Sequence, residues 1–253
     1  MTMPEYLAFR LYGPMASWGG IAIGEFRPGE RSPAKSAILG LIGAALGIRR
    51  DDVISQSRLR DGYLMATVAH APGSLLRDYH TTQVAPGSTR KGKGAFATRR
   101  EEVSIPRGDL NTVLSTREYL CDTLYTVCLW GATDDPPYPL AEIAERLKNP
   151  VYTLSLGRKS CPLALPLQPQ IVRGVNLREA LNALSFHDET FLRWLPDKGA
   201  RGVLCWEGDD ETGFSAVPSY ATPRRDVPVD RSKWLFVGRV EHEARIDIPE
   251  GMR

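Results

Sequence analysis

The run "YLCDTLYTVCLWGA", residues 119–132, constrains the fold of this chain more than any other stretch. Tyr125, Val127 and Leu129 alternate with Leu124, Thr126 and Cys128, and no charge falls among them. A strand with no polar face belongs inside a sheet that is covered on both sides. Two more strands fit beside it. In "YLAFRLYGP", Leu7, Phe9 and Leu11 share one face, and Gly13-Pro14 is expected to stop the strand. "GYLMATVAHAPG" gives a buried strand over residues 63–69, bounded by Gly62 and Pro72.

Helical signals separate these strands. Ser32 reads as an N-cap and Pro33 as the first helical residue of an amphipathic helix over 34–46, closed by Gly47. In "DDPPYPLAEIAERLKNP", Leu140, Ile143, Ala144 and Leu147 share a helical face that Asn149-Pro150 ends. A strand over 151–156 would complete a β-α-β-β-α-β unit. The expected fold is therefore α+β: a ferredoxin-like (RRM-like) domain over 1–157, and a small, mostly β domain over 158–253. The second domain is marked by many prolines, a short helix over 177–184 and apolar runs at 202–206 and 234–240.

Between the second and third strands, residues 76–112 are polar, rich in glycine and without a period, which predicts an inserted loop or arm. The net charge of +2 says little, but residues 77–117 hold eight Lys/Arg against four Asp/Glu. Arg90, Lys91, Lys93, Arg99, Arg100 and Arg107 interleave with glycines and Phe96, as in an arm that follows a phosphate backbone. A solvated insertion has the same composition.

"GERSPAKSAILG", residues 29–40, nearly matches the phosphate-cradling pattern G-x-x-x-x-G-K-[ST]. Ala34 replaces the second glycine, Pro33 has no N–H to offer, and no apolar strand precedes the loop, which argues against an ATPase. The alternative is a basic helix entry where Arg27, Arg31, Lys35 and Ser36 meet nucleic-acid phosphate. "LSLGRKSCPL" adds Arg158 and Lys159 behind Gly157, and with Arg117 these groups are expected to converge where the two domains meet.

Other chemistry is sparse. Four cysteines lack C-x-x-C spacing and sit near apolar runs, so buried, reduced thiols are expected, with no disulfide and no metal. Trp18, Trp130, Trp194 and Trp206 read as core, and the adjacent acidic pairs as surface. No apolar run reaches the roughly 18 residues of a membrane span, and no secretory start is visible, so a cytoplasmic protein is expected. His80, in "RDYHTT" beside Tyr79, Arg77 and Asp78, either packs where the arm leaves the sheet or serves as a general acid or base in metal-independent RNA cleavage.

The motifs "LYGPMASWG", "RSPAKSAILGLIGAALGIRRDD", "RDYHT", "REYLCD" and "LGRKSCPL" occur in an order and spacing similar to the CasD family of CRISPR-associated proteins, over about residues 6–165. The resemblance implies a non-catalytic type I-E Cascade subunit that needs no cofactor and holds the 5′ handle of CRISPR RNA with a ferredoxin-like domain. Residues 76–112 would be its thumb. Its implied neighbours are the Cascade backbone subunit and the large subunit, with target DNA reached only through the complex. Arg117, in "REYLCD" with Tyr119, matches the position that contacts the handle. A repeat-processing endoribonuclease using His80 and Tyr79 is the competing expectation.

Overall fold

The computed structural model describes residues 3–71, 73–86, 96–186, 201–208 and 212–252. Within them lie β1 (Glu5–Ala16), β2 (Phe26–Arg27), α1 (Lys35–Leu46), α2 (Val53–Gly62), β3 (Tyr63–Ala71), β4 (Ser74–Val84), α3 (Arg99–Glu102), β5 (Asn111–Gly131), α4 (Leu140–Lys148), β6 (Gln170–Arg173), α5 (Leu177–Asn182), β7 (Arg201–Trp206), β8 (Ser219–Asp230) and β9 (Leu235–Asp247). The result is a mixed α/β fold on one large sheet. Seven strands run in the order β6-β1-β5-β3-β7-β9-β8, while β2 and β4 add to β5 off this path. Every pairing is antiparallel except β2 with β5.

The uncharged run is the middle of β5, where every residue from Thr123 to Leu129 is buried, as its two apolar faces predict. On one face Tyr125, Val127 and Leu129 join Leu7, Phe9 and Leu11 beneath Ile38 and Ile42 of α1 and Ile143 and Leu147 of α4. On the other, Cys128 and Ala8 pack with Leu181 of α5, Phe186 and Trp206. Cys128, Cys161 and Cys205 are buried and Cys121 half-buried; burial pushes the Cys205 thiol up to about 11.

Four expectations need correction. Gly13-Pro14 does not stop β1: pairing runs on from Gly13 opposite Thr123 to Met15 opposite Cys121, and Pro14, which has no N–H, faces Asp122 at φ 55°. Residues 151–156 form no strand. Val151 and Tyr152 instead donate their N–H groups to the carbonyls of Ala45 and Ala44, and β6 takes the sheet edge beside β1. Residues 76–84 are not loop but most of β4, paired with β5 out to Val84 opposite Asn111. Ser32 does not cap α1. Its hydroxyl and carbonyl oxygens accept from Arg224 at 3.0 and 2.7 Å, Ala34 holds the cap position, and Lys35 N–H donates to the Asp226 carboxylate at 2.8 Å. Gly47 closes the helix in the left-handed region, at φ 78°, as expected. The unanticipated α2 begins at Asp52, whose carboxylate accepts from Ser55 N–H at 3.0 Å.

The strands after residue 200 extend the same sheet, because β7 pairs with β3 from Ala66 opposite Trp206 to Ala69 opposite Val203. A buried charge cluster ties them to α1. Lys35 Nζ lies 2.8 Å from Glu207 and 3.0 Å from the Tyr63 carbonyl. Arg239 pairs with Asp226 at 2.7 Å and Glu241 at 2.9 Å, and Arg224 reaches Glu241 at 2.6 Å. Desolvation raises the Glu207 pKa, and Lys35 is the first charge that opposes it.

Removing one partner of a buried pair strands the other charge. Lys35→Met is expected to cost about 3–5 kcal/mol of stability, and adding Glu207→Leu to recover most of it. Urea denaturation of both variants decides this, and a double variant no more stable than Lys35→Met alone refutes the pair. His70 supplies a pH dependence. It is buried, with Nε2 2.8 Å from Thr126 Oγ1, and burial, then the Arg10 charge, pushes its pKa down to about 3. The unfolded chain takes up this proton near pH 6.5 and the folded chain does not. Stability is therefore full above pH 6.5 and falls toward pH 3, by up to about 1.4 kcal/mol per pH unit from this group. A His70→Gln variant with an unchanged pH slope in urea melts rules that out.

Candidate nucleic-acid interface

β4 and the first half of β5 leave the sheet as a two-stranded ribbon. Side chains alternate across such a ribbon, and directly opposed residues share a face. One face carries Asp78 opposite Arg117, Leu76 opposite Tyr119, and His80 opposite Ser115. The other carries Arg77 opposite Glu118 and Tyr79 opposite Thr116. On the far edge of β5, β2 runs parallel and sets Arg27 beside Arg117.

Glu118 anchors this root. Its carboxylate accepts from Gly29 N–H at 3.1 Å and from Arg77 Nη2 at 2.9 Å, which together hold it below the usual carboxylate range. Its carbonyl accepts from Ser17 Oγ at 3.3 Å. Ser17 also receives the basic turn: its N–H donates to the Leu156 carbonyl at 3.0 Å, and its carbonyl closes on Gly157. That glycine has φ +87°, and a Cβ there would stand 1.9 Å from Ser17 O. Leu156 N–H donates to the Cys161 carbonyl, and Cys161 N–H to that of Arg158, so the turn is closed upon itself.

The closed turn lays the Arg158 guanidinium over the Tyr119 ring, 4.9 Å from its centroid. Arg158 Nη1 is buried with no hydrogen-bond partner among the described residues. Lys159 beside it is exposed. Thus the structure brings together Arg27 with Arg117, and Tyr119 with Arg158, which Lys159 follows in the turn. Arg27 is half-buried and donates to the carbonyls of Gly24 and Phe26.

The remaining sequence candidates fall elsewhere. Lys35 points inward to Glu207 and is not offered to a phosphate, and Ser36 beside it is half-buried, its carbonyl accepting from Arg231 at 2.7 Å. Arg31 is exposed, its carbonyl accepting from Tyr125 OH at 2.7 Å. Arg99 and Arg100 are exposed on α3, Arg99 being paired with Glu102 at 2.7 Å and with the Gln83 carbonyl. Arg107 is exposed in a short helical turn. Arg90, Lys91, Lys93 and Trp194 lie outside the described residues. His80 Nδ1 is 3.8 Å from Asp78, and Tyr79 is 66% exposed, on the opposite face from His80. Sequence reasoning names Arg77 only as a neighbour of His80 and misses Glu118, although an acid inside a basic segment, one residue from Arg117, is a signal that some cation or N–H must answer it.

Gly157→Ala is expected to cost at least about 1–2 kcal/mol from the left-handed backbone alone, and more from the clash with Ser17. Thermal melting checks it, and an unchanged midpoint means the turn is not closed on Ser17.

A family model described as "CRISPR-associated protein (Cas_Cas5)" matches residues 6–240. The chain is 37% identical over 173 residues to the "CRISPR system Cascade subunit CasD" of Escherichia coli (strain K12), covering 65% of this chain and 70% of that one. Among solved structures, a chain of a "CRISPR RNA-guided surveillance complex" superposes with TM-score 0.66 at 23% identity, over 98% of this chain and 92% of the other. A second, "Crystal structure of Cas protein", gives TM-score 0.63 at 24% identity, over 98% and 100%. These two speak for the fold.

Proposed function

This chain belongs to the Cas5 family of CRISPR-associated proteins, and from that premise we propose that it is a Cascade subunit that binds the 5′ handle of CRISPR RNA without cleaving it. The observation that carries the reading is the ribbon root, where Arg27 and Arg117 stand side by side next to Arg158 on Tyr119. Guanidinium groups bind phosphate bidentately, and Arg158 Nη1, without a hydrogen-bond partner among the described residues, leaves that guanidinium with donor capacity to spare. Tyr119 is buried, 8% exposed, beneath Arg158, so its ring supports the cation and has no open face for a base.

The order β6-β1-β5-β3, with helices in the connections from β1 to β3 and from β5 to β6, supports a ferredoxin-like domain. In that reading β4 and β5 form the thumb that contacts the backbone and large subunits, and target DNA is met only through the complex. The same geometry favours binding over cleavage. Tyr79 stands on the opposite ribbon face from His80, so the two are not placed to act on one phosphate.

The test is repeat RNA incubated with the full-length protein in EDTA and run on native and denaturing gels. Intact, retained RNA is expected, with Arg117→Ala weakening binding by about 1–3 kcal/mol, roughly 5- to 150-fold. Unchanged affinity removes Arg117 from the site. Shortened RNA whose production disappears in His80→Ala replaces the binding subunit with a processing enzyme.

A further inference from the structure

Two arginines outside the ribbon, Arg50 and Arg231, line a cavity of about 690 Å³ against the second half of α1. Gly40 of α1, the Arg49–Asp51 pair, Gln56 of α2, Tyr152 and Ser232 are also in its wall. That volume suits a nucleotide-sized ligand. The floor depends on Gly40, which leaves the Arg231 guanidinium against the helix, Nη1 standing 3.4 Å from where a Cβ would be.

The two cations are held but not neutralised. Arg50 Nε donates to the Arg231 carbonyl at 2.9 Å, and Arg231 Nη2 to the Ser36 carbonyl at 2.7 Å. Arg231 Nε is buried without a hydrogen-bond partner among the described residues. Among the described residues neither arginine meets a carboxylate, and the acid in the wall, Asp51, is already paired with Arg49 at 3.0 Å. A guanidinium held against protein beside a like charge is costly unless an anion joins it. Burial, then the charge of Arg50, lowers the Arg231 pKa in the same sense.

The cavity has an aromatic neighbour. The Arg50 guanidinium lies 4.0 Å over the Trp234 ring, which the β8–β9 turn holds at φ 54° and leaves 62% exposed. Basic groups beside an exposed indole are how proteins hold single strands, phosphate on the cation and base on the ring. An acidic protein segment would use the arginines and have no need of the ring.

We propose that this cavity is a second nucleic-acid contact, which takes a phosphate of a single-stranded segment between Arg50 and Arg231 and lays the adjoining base on Trp234. It shares no residue with the ribbon root and does not rest on the handle-binding reading.

The full-length protein is irradiated with a thymidine octamer carrying 5-iododeoxyuridine, and the crosslinked tryptic peptide is sequenced. A fluorescein-labelled thymidine octamer gives the affinity by anisotropy, in an Arg117→Ala background so that the ribbon does not mask the effect. The crosslink is expected within residues 234–239. Trp234→Leu and Arg50→Ala are each expected to weaken the octamer roughly 5- to 50-fold, and Arg50→Ala to flatten the salt dependence by about one phosphate. Both positions are exposed at the surface, so these variants are expected to fold. Crosslinks confined to the ribbon, or unchanged affinity in both variants, overturn the proposal. So does a thermal shift by inorganic phosphate that Arg231→Gln abolishes without any crosslink at Trp234, which would leave a plain anion site with no base on the ring. Loss of handle binding in Arg117→Ala with the Trp234 crosslink intact separates the two sites.

Discussion

A strand of 21 residues has backbone donors and acceptors along two edges, and wherever β5 is buried both edges must find partners. It meets that demand with four partners. Beyond the Asp122 irregularity, β1 and β3 flank it; before that point, β4 takes one edge, and β2 adds a short parallel pairing. The division sets the architecture. Its buried half makes the central sheet with α1 and α4 on one face, and its other half, which reaches the core only through Tyr119 and Leu120, makes the arm. Arg117 and Tyr119 sit where one regime gives way to the other, so the basic site is rigidly based yet open to solvent.

The charge cluster at the start of α1 solves a different problem. Asp226 of β8 supplies the acceptor for the Lys35 N–H that a local cap would otherwise answer, and Arg224 of the same strand takes both oxygens of Ser32. Three cations, Lys35, Arg224 and Arg239, balance three carboxylates, Glu207, Asp226 and Glu241, within or near hydrogen-bond range. Burial of such a set is tolerable only when each charge is answered. The loop that resembles a triphosphate cradle is therefore a joint between the helix and strands almost two hundred residues later.

This explains what could be read from the residues and what could not. The central strand, the α4 face and the glycine closing α1 follow from local periodicity and backbone chemistry, and all three are where those rules put them. Lys35 was misread because its partners come from β3 and the segment after β7, and no local pattern announces a distant carboxylate. The ribbon reads as loop because a strand exposed on both faces has no apolar alternation to reveal it; β4 pairs all the same, since the ladder depends on backbone groups. The supposed strand at 151–156 has the right composition, but its N–H groups go to the end of α1. At the site, Arg117 and Arg158 were visible as charges. That Arg158 lies on Tyr119 depends on a turn closed by Ser17, which sequence spacing does not encode.

The ribbon also differs from the rest of the sheet in what it leaves uncovered. Leu75, Leu76 and Tyr79 are 55%, 44% and 66% exposed, within a few residues of Arg77, Arg117 and Arg27. Apolar side chains on a two-stranded arm gain nothing by facing water, and an isolated ribbon of this kind is marginal on its own. An arm that presents both arginines and exposed leucines is suited to being clasped, with phosphate answering the cations and protein covering the apolar groups. In the proposed complex, RNA and the neighbouring subunit would then stabilise the arm jointly, and each would bind better once the other had ordered it.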